Sequence, residues 1–126
     1  MSATARYAVR LSAGAEADLD EIVQYVAEND SPLKAAHLLD RILDVVASLA
    51  TAPHRGAWPR ELLDLGIHDY RQTAFKPYRL IYTVVETPRR EVFIVLIADG
   101  RRNMRALLER RLLRPPAPPT PGSEPA

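Results

Sequence analysis

Arginine side chains are concentrated in the second half of this sequence, and arginine is the residue type best suited to holding phosphate or carboxylate groups. Residues 71–114 contain eleven basic and four acidic side chains, whereas residues 1–50 contain four basic and eight acidic ones. A net charge of +1 conceals this division. The pattern indicates either a face that binds a polyanion or an acidic partner, or charged faces that are merely solvated.

Strand pairing predicts where one of these arginines lies. The segment 87–90 suits a four-residue hairpin loop that pairs Glu86 with Glu91. Counting back along this antiparallel register places Arg79 opposite Ala98. We therefore expect Arg79 near the end of the sheet, close to the turn that follows the last strand.

The preceding hairpin leaves its register open. A two-residue loop at Lys76 and Pro77 would need a positive φ before a proline, which is unfavourable. A three-residue loop pairs Phe75 with Arg79 and places Arg71 on the same face as Arg79. A four-residue loop reverses that relation, because side chains alternate between the two faces of a strand.

These registers predict a cluster of cationic and aromatic side chains at one end of the sheet, which we interpret as a target-binding site. Its expected members are Arg71, Lys76, Tyr78, Arg79, Arg101 and Arg102. Like charges at one place repel one another unless a bound anion or a nearby carboxylate neutralises them. The alternative is that Asp99 and Glu109 neutralise some of the arginines and that the others point into water.

Other chemistry finds little support in the sequence. His37, His54 and His68 are far apart and fit no metal-binding spacing, and there is no cysteine to complete a site. Phosphate-binding glycine loops and nucleophile elbows are also missing. The carboxylates of the first predicted helix are expected on its solvated side. We expect neither a metal nor a cofactor.

The elements that must position the arginines begin with a short strand at residues 7–11, where apolar side chains alternate. Ser12 is a helix cap, and apolar residues then recur at three- and four-residue steps until Asn29. Ser31 caps a second amphipathic helix, which starts at Pro32 and ends before Pro53. Two helices joined by so short a link pack as an antiparallel hairpin.

The apolar stripes of this hairpin are expected to pack against each other and against a sheet. A groove left between the two helices could still receive a partner helix. The side chains predicted to line it are Leu19, Val23, Val26, Leu39 and Val46.

Three consecutive strands follow the connector, at residues 69–75, 78–85 and 91–99. The last is continuously apolar, which is typical of a central strand covered on both faces. Asn103 caps a short final helix. The sequence thus predicts an α+β fold: a strand, an α-helical hairpin, a three-stranded antiparallel meander and a short C-terminal helix.

The length of the chain predicts a single domain over residues 1–114. Half of the residues in 115–126 are proline, so we expect a disordered tail there. The N-terminus lacks an apolar signal region and no long apolar run occurs, which favours a cytoplasmic location.

Several short motifs together resemble the RelE/ParE superfamily of bacterial toxins over about residues 7–113. The matching segments are Asp18-Leu-Asp-Glu-Ile22 with Tyr25, Leu49 to Gly56 with Glu61-Leu62 and Gly66, Tyr78-Arg-Leu-Ile-Tyr82, and Gly100-Arg-Arg-Asn103 with Leu107-Leu108. Each is short, but their order along the chain makes the set specific.

The resemblance implies the toxin of a type II toxin–antitoxin module, held inactive by a cognate antitoxin whose C-terminal segment wraps it. Such segments often place a helix in the groove of the helical hairpin. Members of the superfamily have two activities. RelE-like toxins cut messenger RNA in the ribosome, and ParE-like toxins bind and block DNA gyrase.

Individual residues favour the second activity. Arg79 and Arg102 match the positions of RelE-type phosphate-binding arginines, with Lys76 the one lysine before that strand. The position of the RelE-type catalytic tyrosine is Leu108, which cannot transfer a proton. We therefore expect a gyrase inhibitor; the alternatives are a ribosome-dependent, metal-independent endoribonuclease or a non-toxic relic that only binds its antitoxin.

Overall fold

The computed structural model describes residues 6–113. Its elements are β1 (Ala8–Leu11), α1 (Ala13–Asn29), α2 (Pro32–Ser48), α3 (Arg60–Leu63), β2 (Arg71–Phe75), β3 (Tyr78–Val85), β4 (Glu91–Asp99) and α4 (Met104–Leu108), after which Glu109–Leu113 form a π-helical turn. The predicted α+β fold is confirmed, with its helical hairpin, antiparallel meander and short C-terminal helix. The predicted disordered tail, residues 115–126, lies outside the described residues.

Local signals place the helix starts. Ser12 and Ser31 each accept a hydrogen bond from the backbone N–H three residues further on, at 3.1 and 3.0 Å. Asn103 does the same for α4, at 3.1 Å. Each bond satisfies one of the free N–H groups of a first helical turn, so the three predicted caps are confirmed.

The four strands form one sheet in the order β1-β4-β3-β2. β1 runs parallel to β4, and the other neighbours are antiparallel. The α1–α2 hairpin covers one face, which we call the inner face, and its core includes Ile42, Leu80 and Tyr82. The outer face is covered by α3 and α4, with Leu62 and Leu108 in a second core. None of the helices within residues 6–113 combines the length and hydrophobicity of a membrane span.

A β-bulge at Val95 lets β4 serve both cores. Tyr82 pairs with Ile94 and Ile81 with Leu96, so Val95 has no partner on β3. The extra residue reverses the alternation of side chains along β4. Ile94 therefore packs in the inner core and Leu96 in the outer one.

Of the two predicted pairings between β3 and β4, one is wrong and the other is confirmed. The loop between β3 and β4 pairs Val85 with Glu91, so the predicted pairing of Glu86 with Glu91 is wrong. Arg79 nevertheless lies opposite Ala98, as predicted. The loop is one residue longer than predicted, which shifts the register by one residue. The extra residue of the bulge in β4 shifts it back, so the pairing of Arg79 is unchanged.

The first hairpin is shorter than the sequence favoured. Phe75 pairs with Tyr78, which leaves Lys76 and Pro77 as a two-residue loop. The Lys76–Pro77 peptide bond is cis, and within residues 6–113 no residue other than glycine has a positive φ. The two-residue loop therefore forms without the positive φ at Lys76 that makes such a loop unfavourable.

Tyr82 fixes the connector to the inner face. Its buried hydroxyl donates to the carbonyl of Pro53 at 2.7 Å and accepts from the N–H of Gly56 at 3.1 Å. A Cβ at Gly56 would lie 2.6 Å from the carbonyl oxygen of Gln72, so only glycine fits. The connector is thereby held along the edge of β2.

Candidate functional site

Arg79 lies on the outer face of β3, where its guanidinium has carboxylate and amide partners. Nη1 and Nη2 donate to the two carboxylate oxygens of Glu61 on α3, each at 2.9 Å. Nε donates to the side-chain oxygen of Gln72 on β2 at 2.8 Å. The aliphatic part passes Gly100, where a Cβ would come within 2.9 Å of Cδ. Most N–H groups of the Arg79 guanidinium thus have partners within the molecule.

An open hollow of about 550 Å³ lies beside this ion pair. Its lining includes Trp58, Arg60, Glu61, Leu63, Gln72 and Arg79. The hydrogen bonds from Arg79 hold the pKa of Glu61 below its usual range. Glu61 is therefore an anion at neutral pH that occupies the arginine fork from within the hollow.

Arg101 forms a separate ion pair at the end of β4. Its Nε donates to Asp99 at 2.9 Å, and the backbone N–H of Arg101 donates to the same carboxylate oxygen. These bonds lower the pKa of Asp99 to about 2. Asp99 thus neutralises one arginine, as the alternative interpretation expected, while the side chain of Arg101 stays 79% exposed.

The other cluster members at this end differ in exposure. Lys76 and Arg102 are exposed, and Arg102 makes no side-chain hydrogen bond or ion pair within residues 6–113. Tyr78 is half-buried against the inner core. Burial raises the pKa of its hydroxyl, so Tyr78 is neutral at physiological pH.

Arg71 does not join the cluster. It pairs with Tyr82, whereas Arg79 pairs with Ala74, so Arg71 and Arg79 lie on opposite faces of the sheet. The predicted convergence of these two arginines is wrong because the hairpin loop has two residues rather than three.

Arg71 instead stacks on the connector. Its guanidinium lies 4.0 Å from the centre of the Trp58 ring, and Nη1 donates to the carbonyl of Gly56 at 2.8 Å. The edge of His68 contacts the same indole, with ring centres 5.6 Å apart. Trp58 therefore forms a supported aromatic ridge between the Arg71 stack and the Arg79 hollow.

Leu108 is buried in the outer core, with 1% of its surface exposed. It packs with Leu62, Ile81 and Met104. The position that matches the RelE-type catalytic tyrosine thus faces the core under α4 and not the hollow beside Arg79.

No histidine within residues 6–113 lines the Arg79 hollow, although His68 contacts its Trp58 wall. Glu61 and Asp99 have lowered pKa values, and Tyr78 has a raised one. His54 lies at the other end of the sheet, where Nε2 is 3.0 Å from Glu86. Histidine is the side chain best suited to proton transfer at neutral pH, and the described hollow holds none beside Arg79.

The predicted groove between the helices is only partly accessible. Leu19 and Val46 are buried in the inner core, so a partner cannot contact them as predicted. Their burial follows from packing of the hairpin against the sheet. Val23 and Leu39 are half-buried and, together with Ala27, line an open hollow of about 360 Å³. Val26 is also half-buried.

Asp18 corrects the expectation that the carboxylates of α1 are solvated. Its side chain is 16% exposed and accepts two hydrogen bonds from Arg111, both at 3.0 Å. Asp18 also accepts the backbone N–H of Ile97 at 3.0 Å, and Arg111 donates to the carbonyl of Val95 at 2.8 Å. Since β1 pairs with β4 only as far as Ile94, this ion pair replaces missing strand bonds on the free edge of β4.

The sequence did not identify three of the residues that line the hollow as site residues: Trp58, Glu61 and Gln72. Glu61 was noticed only within the resembling connector motif, and nothing local identifies it as the partner of Arg79. An isolated tryptophan beside glycine and proline was the one available signal for Trp58. Within residues 6–113, no three histidine or carboxylate side chains gather closely enough to hold a metal ion.

Comparison with known proteins relates this architecture to bacterial toxins. The profile of the family described as "ParE toxin of type II toxin-antitoxin system, parDE" matches residues 9–104. No curated protein sequence matches the chain.

Two solved structures share the fold. One is the chromosomal ParDE toxin–antitoxin system from P. aeruginosa, with a TM-score of 0.61 and 20% identity over 75% of this chain and 96% of that chain. The other is the RelBE2 toxin–antitoxin complex from Mycobacterium tuberculosis, with a TM-score of 0.57 and 19% identity over 79% of this chain and 97% of that chain. The profile match spans most of the sequence and both cores, and we conclude that the chain belongs to the ParE toxin family of type II toxin–antitoxin systems.

Proposed function

We propose that this protein is neutralised by a cognate antitoxin and, when released, inhibits DNA gyrase by binding it in the cytoplasm. The observation that supports binding over catalysis is the state of Arg79. Its guanidinium is held by Glu61 and Gln72, and within residues 6–113 no histidine, lysine or tyrosine lines the hollow beside it.

Cleavage of RNA without a metal would need three tasks at one place. A base must activate the 2′-hydroxyl, a cation must stabilise the phosphorane, and an acid must protonate the leaving oxygen. An arginine can perform the second task. Leu108 cannot perform the others, and the lowered pKa values of Glu61 and Asp99 make both carboxylates weak bases.

The target-binding surface in this proposal consists of the exposed cations and the aromatic groups near them. Arg101 and Arg102 are accessible at the end of the sheet, next to Lys76 and Tyr78. Trp58 adds an aromatic ridge that is 37% exposed and stacked under Arg71. Tryptophan and arginine are the residue types that most often dominate protein–protein binding energy.

The antitoxin occupies the α1–α2 groove in this proposal. Val23, Ala27 and Leu39 line its accessible part. Ala27→Arg is expected to weaken antitoxin binding by at least about tenfold through steric and charge conflict. Ala36→Arg adds the same charge at an exposed site on α2 and serves as the matched control. Equal affinity of both variants, measured by isothermal titration calorimetry, would place the antitoxin elsewhere.

Inhibition of purified gyrase in a plasmid-supercoiling assay tests the target. The protein alone is expected to inhibit, and the protein with its antitoxin is not. Arg102→Ala, an exposed change that spares the fold, is expected to weaken inhibition. A folded protein that leaves supercoiling intact at micromolar concentrations would refute the proposed target.

Ribosome-dependent RNA cleavage is the second candidate, because Arg79 and Arg102 are at the positions that match RelE-type phosphate-binding arginines, and the Arg79 side chain contacts Gly100, two residues before Arg102. Primer extension on translated messages separates the two. Cuts at fixed codon positions would favour the nuclease, whereas intact messages with blocked supercoiling support the gyrase inhibitor. Harmless overexpression with retained antitoxin binding would indicate a relic.

A further inference from the structure

Glu61 occupies the position on the Arg79 guanidinium that a phosphate would otherwise take. Its two carboxylate oxygens take Nη1 and Nη2 of Arg79 in the parallel geometry that arginine offers to any planar or tetrahedral anion. The hollow of about 550 Å³ is large enough for a ligand. Chain and ligand would therefore compete for the same donors.

The rest of the hollow would suit a nucleotide. Trp58 is an aromatic side chain of the lining that is 37% exposed, and Arg60 is an exposed cation of the same lining. Stacking on aromatic side chains and contact with arginine are the two means by which proteins bind single-stranded nucleic acid without sequence preference. Only Glu61 among the lining residues opposes a polyanion by its charge.

The Glu61 carboxylate keeps its charge in a partly shielded position beside Arg79. Its side chain is 25% exposed and that of Arg79 is 18% exposed, so the pair is partly shielded from solvent. The pKa of Glu61 is lowered by Arg79, which keeps the carboxylate charged throughout the physiological range. A phosphodiester approaching Arg79 meets this fixed negative charge.

We propose that Glu61 is a specificity-determining residue that closes the Arg79 hollow to nucleic acid and so restricts this toxin to a protein target. The inference rests on the proposed function. It explains why Arg79, which matches the position of a phosphate-binding arginine, belongs to a protein that binds a protein target. It assigns to a single carboxylate the exclusion of RNA from the Arg79 hollow.

The test measures binding of a fluorescein-labelled oligouridylate to the purified full chain by fluorescence anisotropy. Glu61→Gln removes the charge while keeping the size of the side chain. Asp64→Asn is the matched control, because it removes one carboxylate charge in the next turn, where Asp64 pairs with Arg105 on the surface. Both variants therefore raise the net charge equally.

We expect Glu61→Gln to bind the oligonucleotide at least about tenfold more tightly than the wild-type chain, the gain from one charge-assisted phosphate contact. Asp64→Asn should stay within about twofold of wild type, as expected for a screened surface charge. The double variant Glu61→Gln/Arg79→Gln should return to the wild-type affinity. The salt dependence of Glu61→Gln should steepen by about 0.7 in log–log slope relative to the double variant.

Equal gains in Glu61→Gln and Asp64→Asn would overturn the proposal, since net charge alone would then explain binding. No gain in a folded Glu61→Gln variant would overturn it as well. If that variant fails to fold, Glu61→Ala provides the same comparison, and unchanged RNA affinity in it has the same meaning. Gyrase is not present in this assay, so its outcome is independent of whether the wild-type protein inhibits supercoiling.

Discussion

Two arginine–carboxylate pairs in this molecule have the same geometry and different surroundings. Arg79 and Arg111 each bind both oxygens of a carboxylate, Glu61 and Asp18 respectively, at 2.9 to 3.0 Å. The Arg111 pair also binds backbone groups of β4. The Arg79 pair binds only another side chain, that of Gln72.

This difference distinguishes an ion pair that supports the backbone from an exchangeable ion pair. Asp18 and Arg111 supply hydrogen bonds that a missing strand would otherwise make, so removing either leaves a strand edge unsatisfied. Arg79 and Glu61 border an open hollow, and removing the Glu61 carboxylate would leave the backbone hydrogen bonds in place and the guanidinium open to another anion. Identical chemistry therefore supports folding at one site and recognition at the other.

The largest expected effect tests the structural pair. Asp18→Ala should lower the free energy of unfolding by about 2–3 kcal/mol, because the N–H of Ile97 and the guanidinium of Arg111 both lose their partner. Urea denaturation measures the change. A loss below about 0.5 kcal/mol would show that water replaces Asp18 at the strand edge.

A smaller loss of stability is expected at the exchangeable pair. Arg79→Gln should lower the free energy of unfolding by about 1 kcal/mol, since the partners it leaves behind face an open hollow that water can enter. Supercoiling inhibition by the same variant should fall if Arg79 contacts the target directly. A stability loss as large as that of Asp18→Ala would remove the distinction between the two pairs.

The pH dependence of stability extends the comparison to Asp99, whose partner Arg101 is mostly exposed. A carboxylate with a lowered folded-state pKa stabilises the fold above its unfolded pKa and loses that contribution as pH falls. For Asp99 the window runs from about pH 4 down to about 2. Asp99→Asn should therefore lose less stability than wild type over this window in urea titrations. Identical acid sensitivity would show that Asp99 contributes nothing.

The smallest effect is expected at a fully surface-exposed pair. Arg105 and Asp64 are separated by 3.3 Å, with side chains 50% and 57% exposed. Arg105→Ala should change the free energy of unfolding by less than about 0.5 kcal/mol, because solvent screens the pair. Thermal denaturation of Arg105→Ala and Asp18→Ala under the same conditions compares the two losses of stability. A larger loss in Arg105→Ala would mean that the exposure of an ion pair does not predict its contribution to stability.

Much of the fold was predictable because its signals are local. A serine or asparagine before an apolar period starts a helix at Ser12, Ser31 and Asn103, and each signal spans only a few residues. The continuous apolar run of β4 similarly predicted a strand covered on both faces, and both cores draw on it. Packing of α1 and α2 on the sheet could be foreseen as well, although it removes Leu19 and Val46 from the predicted groove.

The candidate site was less predictable, because its partners are distant in the chain. The arginine positions were evident, but the face on which each lies depends on the length of one hairpin loop, and a single residue reverses it. The choice of a two-residue loop separates Arg71 from Arg79. Roles assigned to Arg71, Lys76, Tyr78, Arg79, Arg101 and Arg102 in binding a target stay predictions.

The order and type of the elements, the excess of arginine in the second half and the family all follow from the sequence alone. Which carboxylate forms an ion pair with each arginine depends on the tertiary structure. Glu61 lies 18 residues before Arg79, and Asp18 lies 93 residues before Arg111. Propensity and capping act within a few residues, whereas these contacts arise when the chain packs α3 over the outer face and brings the π-helical turn after α4 to Asp18 of α1. Electrostatic partners are set by that packing, because charge attraction depends on distance in space and not along the chain.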